Sequence, residues 1–481
     1  MVPKTWRALR LNTTHRCWLL LAALLLLHVN LWQLWLARGD VAQGCDVFSH
    51  LNHQLQFSDA LAELLREPSL DKARGLISAP DIAPAKWPRL TYLVSSVGAA
   101  LVGRDTRATV LFTNTVFSLV LLLSLFSLGR RLMGARAALL GCALFTLFPY
   151  TAHFANSYGL DYPLTAMVTL SWAALLRTRG FRSRRGSILF ALALALTLLT
   201  KIQGILFLVG PMVFAAMAGL RLERGRAKGE LRVVPLNLAL CGAMAAIILS
   251  ALLPGNPGTY LATFLYHTGA SGLPATMIRE QFSWQSLLFY PVTLALGVSP
   301  WVLILAIAGL SRRETPGRGF LLVALVTPLL IFTLLISTKW QRFLLPAAPL
   351  LALAAADLLL RIKGPRARAA LVSCVLLLGA AQLGVMMFHK NLYSRLQERL
   401  GAAGLTTTNA FAHPPVADNY HEQVAEVVTL LRQRSGASSH LNVSILEDPA
   451  VGAGAGVLLQ YMIRLHHQGR PLSVQLSGQR P

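Results

Sequence analysis

Asp46 and Asp161 are the carboxylates best placed to take a proton or steady a developing positive charge. Lys86, Lys201, Lys339 and Arg342 are the cations best placed to grip a phosphate. Asp46 and Lys86 lie in the first long polar segment. The other four lie at short polar breaks within long apolar stretches. An acid near a bilayer boundary is costly unless paired or solvated, so acids at helix ends often mark function. The plainer reading of Asp161 is an acid suiting the N-terminal dipole of the helix it begins. Asp40 reads as an ordinary loop acid. Lysine offers phosphate a point charge and arginine a bidentate fork, whereas the plainer role for both is snorkelling to lipid head groups. His50 and His53 could share a helical face, but they lack the paired carboxylates expected of a metal site, so metal is not assigned. Tyr150, His153, Tyr158, Tyr162, Trp284 and Trp340 fit an interfacial aromatic belt.

The elements that carry these residues follow from the basic clusters. Arg136 and Arg177 bracket one apolar stretch, Arg185 and Arg221 a second, and Arg318 and Arg361 a third; each is interrupted near its middle. Lys/Arg-rich flanks stay on the cytoplasmic side, so each stretch must be a hairpin whose polar tip faces outward. About eleven spans of roughly 20 residues result, each able to cross a ~30 Å hydrocarbon layer. They cover about 17–37, 108–129, 137–153, 160–176, 187–200, 203–220, 233–253, 286–310, 319–337, 343–360 and 368–388.

The first outer loop, 38–107, carries a helical apolar stripe at Leu55, Leu61, Leu64 and Leu65 and a short apolar run at 89–103. Both are expected to lie along the interface rather than cross it. Were 89–103 a full crossing, every later basic cluster would move outside. Residues 1–388 thus form the transmembrane domain. The tail, 389–481, has a different texture: helix-like runs at 421–434 and 456–467, a β-branched run at 440–446 and the segment PLSVQL. It is expected to be a small extracytoplasmic α/β domain.

Composition bounds the rest. With 54% hydrophobic and 13% charged residues and a mean hydropathy of +0.55, this is not a soluble globular chain. The net charge of +24 would suggest nucleic acid elsewhere. Here the basic residues fall between apolar runs, where they fix topology and touch anionic lipids; no nucleic-acid partner is expected. The N-terminal apolar run is too long for a usual signal-peptide core and reads as a retained first helix. Five cysteines give neither a disulfide framework nor zinc spacing.

Several segments together resemble the GT-C polytopic membrane glycosyltransferases, most of all the bacterial aminoarabinose transferase and protein O-mannosyltransferase group. GCDVFSHL places Asp46 where that group has an acid in its first outer loop. KWPRLTYL is similar to the entry of its interfacial helix and carries Lys86 and Pro88. LDYPLTAM carries Asp161, LLTKIQG carries Lys201 and QRFLLPAAP carries Arg342. The likeness covers about residues 15–390. Val47 stands where many members have a second acid, and the usual Pro-Pro pair is reduced to Trp87-Pro88.

The resemblance implies a polyprenyl-phosphate monosaccharide donor used on the outer face of the plasma (bacterial inner) membrane, with the active site toward the periplasm and inversion at the anomeric carbon. Asp46 and Asp161 would be catalytic, and Lys86, Lys201 and Arg342 would bind the donor phosphate; Lys339, read from the residues as a further outer cation, is expected to bind it too. The acceptor would be lipid A or lipopolysaccharide, a polysaccharide or a protein. No cofactor beyond the lipid-linked donor is implied, and a divalent metal stays open. The alternative is a lipid-linked glycan flippase or a polysaccharide ligase. A flippase should carry polar sites at the bilayer midplane and internal repeats, which the sequence does not show.

Overall fold

The computed structural model describes residues 13–37, 45–78, 88–103, 105–224, 233–252, 282–336 and 339–388, with short pieces at 399, 402–403, 440–443 and 473–476. Sixteen α-helices run through the described residues: α1 (Thr13–Ala37), α2 (Cys45–Arg66), α3 (Leu70–Ser78), α4 (Leu90–Val102), α5 (Thr106–Met133), α6 (Ala135–Thr146), α7 (Pro149–Ala155), α8 (Asp161–Arg177), α9 (Arg184–Thr200), α10 (Ile205–Arg224), α11 (Val233–Leu252), α12 (Trp284–Val298), α13 (Pro300–Ser311), α14 (Arg318–Leu330), α15 (Ala348–Leu360) and α16 (Pro365–Phe388). Among the described residues seven helical segments are long and apolar enough to cross a membrane, or up to nine if each of two bent pairs counts as one span. The chain is a multi-pass membrane protein. Helices α8 and α9, at 17 residues each, are slightly shorter than those segments.

The helices assemble around α15, whose alanines 352, 354, 355 and 356 are fully buried. Small side chains suit this place because, in a bilayer, helices associate through close van der Waals packing rather than by escaping water. Leucines instead face outward on the peripheral helices: Leu26 on α1, Leu236 on α11 and Leu377 on α16 are exposed, as lipid-facing side chains should be.

The basic turns gather at one end of the bundle. The Arg131 guanidinium lies among Arg130, Arg177 and Arg179. Asn237 of α11 donates to the Phe181 carbonyl at 2.7 Å. Gly219 of α10 sits so close to the 178–183 turn that a Cβ there would come within 1.9 Å of the Gly180 oxygen. Helix α8 ends at Arg177 and α9 begins at Arg184, so their other ends, Asp161 and Thr200, lie at the opposite end of the bundle.

Three expected spans are not straight. The one placed at 137–153 breaks before Pro149 into α6 and α7, bent by 62°, with the Thr151 hydroxyl bridging the break to the Phe145 carbonyl at 2.6 Å. The one placed at 286–310 breaks at Ser299-Pro300 into α12 and α13 with a bend of 110°. Proline lacks the N–H a helix interior needs and pushes its predecessor out of the helical region. Ser299 leaves the helical region at φ 78°, and its hydroxyl donates to Gln382 of α16. The third, 319–337, ends early: α14 passes into a π turn, Ile331–Leu335, and the chain turns extended at Ile336.

In the first outer loop, α2 runs from Cys45, ten residues before the stripe read from the sequence, and packs on α4. The Tyr92 hydroxyl lies 2.6 Å from His50 Nδ1, and its ring stacks on Phe57 at 5.6 Å. Lys72 of α3 pairs with Glu67 at 2.6 Å and Glu63 at 3.2 Å, which raises its pKa above the ordinary lysine value.

In the tail, β1 (His440–Val443) and β2 (Ser473–Leu476) pair in parallel, His440 opposite Ser473. Both strands fall on the segments read as β. The helix-like runs at 421–434 and 456–467 lie outside the described residues.

Candidate active site at the hairpin tips

Three polar tips that are far apart in sequence meet in space. The first is the 156–161 turn. Asn114, on α5, donates its Nδ2 to the carbonyls of Ala155 at 2.7 Å and Ser157 at 3.1 Å. The Tyr158 hydroxyl donates to Ser95 of α4 at 2.8 Å, and that of Tyr162 lies 2.7 Å from Ser118. This turn hands the chain to α8, whose first residue is Asp161. The backbone of that turn is held on three sides, so the carboxylate has a fixed origin.

The second tip is the break between α9 and α10. Lys201 takes an extended conformation, φ −163° and ψ 125°, and a single 3₁₀ turn, Ile202–Gly204, restarts the helix. Gly204 lets that turn close on α8: a Cβ would meet Thr197 at 2.4 Å and Leu164 at 3.0 Å. Lys201 Nζ donates to Asp161 Oδ1 at 2.6 Å and lies 5.6 Å from the centre of the Phe343 ring. Both residues are 7% exposed.

The third tip is the strap before α15, where Gln341–Ala347 forms a 3₁₀ helix rather than the first turn of a regular α-helix. Pro346 and Pro349 explain this, since neither can donate to a regular helical ladder. Arg342 Nε lies 3.7 Å from Asp161 Oδ2, and its guanidinium stands over Trp340 at 4.8 Å. The strap is tied down twice. Tyr150 of α7 donates to the Gln341 carbonyl at 2.8 Å. Lys339 Nζ donates to the carbonyls of Phe332, Thr333 and Ile336 at 2.6, 2.7 and 2.6 Å.

One carboxylate is thus shared by two cations within a largely buried cluster. Lysine and arginine brought to one place suit an anionic ligand such as a phosphate. Of the six residues expected from sequence, Asp161, Lys201 and Arg342 come together here. Lys339 stands beside them with its own carbonyl partners. Asp46 falls in the first turn of α2, one helical turn before His50, but its side chain and the whole of Lys86 lie outside the described residues. Among the described residues no three of His, Cys, Asp and Glu converge as a metal cluster would.

Sequence reasoning passed over Asn114 and read Tyr150 only as part of an aromatic belt. The signal for Asn114 was an amide among Thr109, Thr113 and Ser118 in an otherwise apolar span, since polar groups inside membrane helices tend to bond across to a neighbour.

The architecture has solved counterparts. The ArnT structure from Cupriavidus metallidurans, bound to undecaprenyl phosphate, matches 96% of this chain and 86% of its own at a TM-score of 0.59 and 15% identity. The Archaeoglobus fulgidus oligosaccharyltransferase, tethered to an acceptor peptide, matches 94% of this chain and 63% of its own at a TM-score of 0.55 and 11% identity. At these identities the likeness shows a shared fold. Two sequence comparisons add to this. The family described as dolichyl-phosphate-mannose-protein mannosyltransferase matches residues 86–253. The undecaprenyl phosphate-alpha-4-amino-4-deoxy-L-arabinose arabinosyl transferase 1 of Pseudomonas fluorescens is 28% identical over 312 residues, 62% of this chain and 54% of that one. The chain spans about half the length of that curated relative.

Proposed function

We propose that this protein is a glycosyltransferase that moves one monosaccharide from a polyprenyl-phosphate donor to an envelope acceptor at the outer face of the plasma membrane. The observation that carries the reading is the Asp161 carboxylate shared by Lys201 and Arg342 at the tips of separate hairpins. A polyprenyl-phosphate sugar is a phosphodiester with one negative charge, a group that a lysine and an arginine brought together are suited to bind. The undecaprenyl phosphate bound by the ArnT of C. metallidurans and the donor named for the P. fluorescens relative support that class of ligand.

In the proposed step an acceptor oxygen attacks the anomeric carbon, and the bond from that carbon to the phosphate oxygen breaks with inversion. The acceptor proton passes to Asp46 as general base. The electron pair leaves with the polyprenyl phosphate, which gains a second negative charge. Lys201 and Arg342 offset that charge as it develops, the kind of stabilisation that acts on the transition state more than on the bound donor. Asp161 holds the two cations apart from each other and pointed at one place. Lys86 closes the same site, and the prenyl tail lies between helices.

The same reading sets the organisation of the chain. Counting α8 and α9 as crossings, and each bent pair as one span, brings the bundle to the eleven expected. The first outer loop and the α/β domain of 389–481 then share the periplasmic side with the hairpin tips. The acceptor is a glycolipid such as lipid A, a polysaccharide or a protein.

Mass spectrometry of envelope glycolipids and proteins from cells with and without the gene tests the proposal. Loss of a single sugar unit from one acceptor class is expected. Movement of an isotope-labelled lipid across the bilayer, with no new glycosidic bond, would instead identify a flippase.

A further inference from the structure

Lys339 was expected to meet phosphate, yet its surroundings describe another task. It is 3% exposed, and three backbone carbonyls, those of Phe332, Thr333 and Ile336, receive its three N–H groups at 2.6 to 2.7 Å. Those carbonyls belong to the π turn that ends α14 and to the extended residue after it. A helix end leaves such oxygens without intrahelical donors, and inside a membrane protein each one left bare is costly. The ammonium satisfies them from three to seven residues further along the chain. Its aliphatic stem brings the charge 5.6 Å from the centre of the Tyr290 ring on α12.

Arg342 follows three residues later, stacked on Trp340, and Tyr150 holds the Gln341 carbonyl between them. The strap is therefore fixed at two points, one on either side of Trp340, and Arg342 emerges from the second.

We propose that Lys339 is a positioning residue: it caps the broken end of α14 and so sets where the strap presents Arg342 to Asp161, without itself contacting the lipid phosphate. This rests on the donor reading given above only for the identity of the anion that Arg342 meets.

Two substitutions separate the roles. Lys339→Arg keeps the charge and would serve a phosphate well, but a planar guanidinium does not place three donors on three converging carbonyls. Binding of undecaprenyl phosphate to the purified full-length protein is expected to weaken about tenfold in Lys339→Arg as well as in Lys339→Met, the scale of one buried polar group left unmatched. In an Arg342→Ala background, Lys339→Met should weaken it by less than about twofold more, since coupled residues lose additivity. Wild-type affinity in Lys339→Arg, or equal losses in both backgrounds, would overturn the proposal.

A measurement on the unaltered protein serves where the variants do not fold. Amine-reactive footprinting should find Lys339 unreactive both with and without undecaprenyl phosphate. Reactivity without the lipid and protection with it would show direct contact. If the wild-type protein binds no undecaprenyl phosphate at all, the donor reading fails, while the footprint still decides whether Lys339 is a cap.

Discussion

Lys201 Nζ and Asp161 Oδ1 lie 2.6 Å apart with both side chains about nine-tenths buried, joining the first residue of one helix to the last polar break of the next. A buried pair of this kind costs desolvation at both ends, so its retention points to a use beyond holding helices together. Here the use is to fix a cation at the hairpin tips with a second, Arg342, on the far oxygen.

Removing one partner should be far worse than removing both. Asp161→Asn alone is expected to destabilise the protein by about 3–5 kcal/mol, because Lys201 and Arg342 both lose the buried carboxylate they share. Asp161→Asn with Lys201→Met should recover most of that loss. Thermal unfolding in detergent checks this, and additive losses would mean that the two groups do not depend on each other.

Asn114 should matter although it lies on a different helix from the charged residues. Asn114→Leu leaves the carbonyls of Ala155 and Ser157 without their donor, a loss of about 1–3 kcal/mol. The turn that presents Asp161 then loosens, so transfer activity should fall while membrane insertion is unchanged. Activity equal to wild type would show that Tyr158 and Tyr162 hold the turn by themselves.

The sequence made the hairpins legible because two opposed signals, arginine clusters and polar breaks, alternate along it. Positions 161, 201 and 342 were each readable as tips for that reason. The bends were less legible. Pro149 and Pro300 announce a break, but the bend of 110° comes with a positive φ at Ser299 and a bond to Gln382 of α16, a residue 83 positions away. Lys339 was less legible for a related reason: from sequence alone a lysine beside an arginine at a polar break reads as a phosphate ligand, and only the local backbone shows the carbonyls that accept from it. The start of α2 at Cys45 was hidden by the polar composition of 45–54, which becomes helical through packing on α4 rather than through its own apolar stripe.

Sidedness is open to a direct check. Single cysteines at Ser157 and Arg179, introduced into a cysteine-free background, should be labelled from opposite faces of the membrane. Arg179 should react only from the cytoplasm. Labelling of both from one face would contradict the hairpin arrangement.

Asp46 carries the proposed base. In purified protein supplied with donor, Asp46→Asn should slow transfer by about 10²–10⁴-fold, the usual contribution of a positioned proton acceptor. Affinity for undecaprenyl phosphate should stay near wild type. Near-normal transfer by correctly inserted Asp46→Asn protein would remove the base from the scheme.

The most direct test compares the affinity of the purified protein for undecaprenyl phosphate with that for undecaprenol, which has the same tail and no phosphate. The wild-type protein is expected to prefer the phosphate form strongly. Arg342→Ala should weaken binding of that form by about tenfold to a hundredfold, as for a lost hydrogen bond to a charged group, while leaving undecaprenol unaffected. Equal affinity for the two lipids, or an Arg342→Ala protein that still prefers the phosphate as wild type does, would contradict an anion site built from Asp161, Lys201 and Arg342.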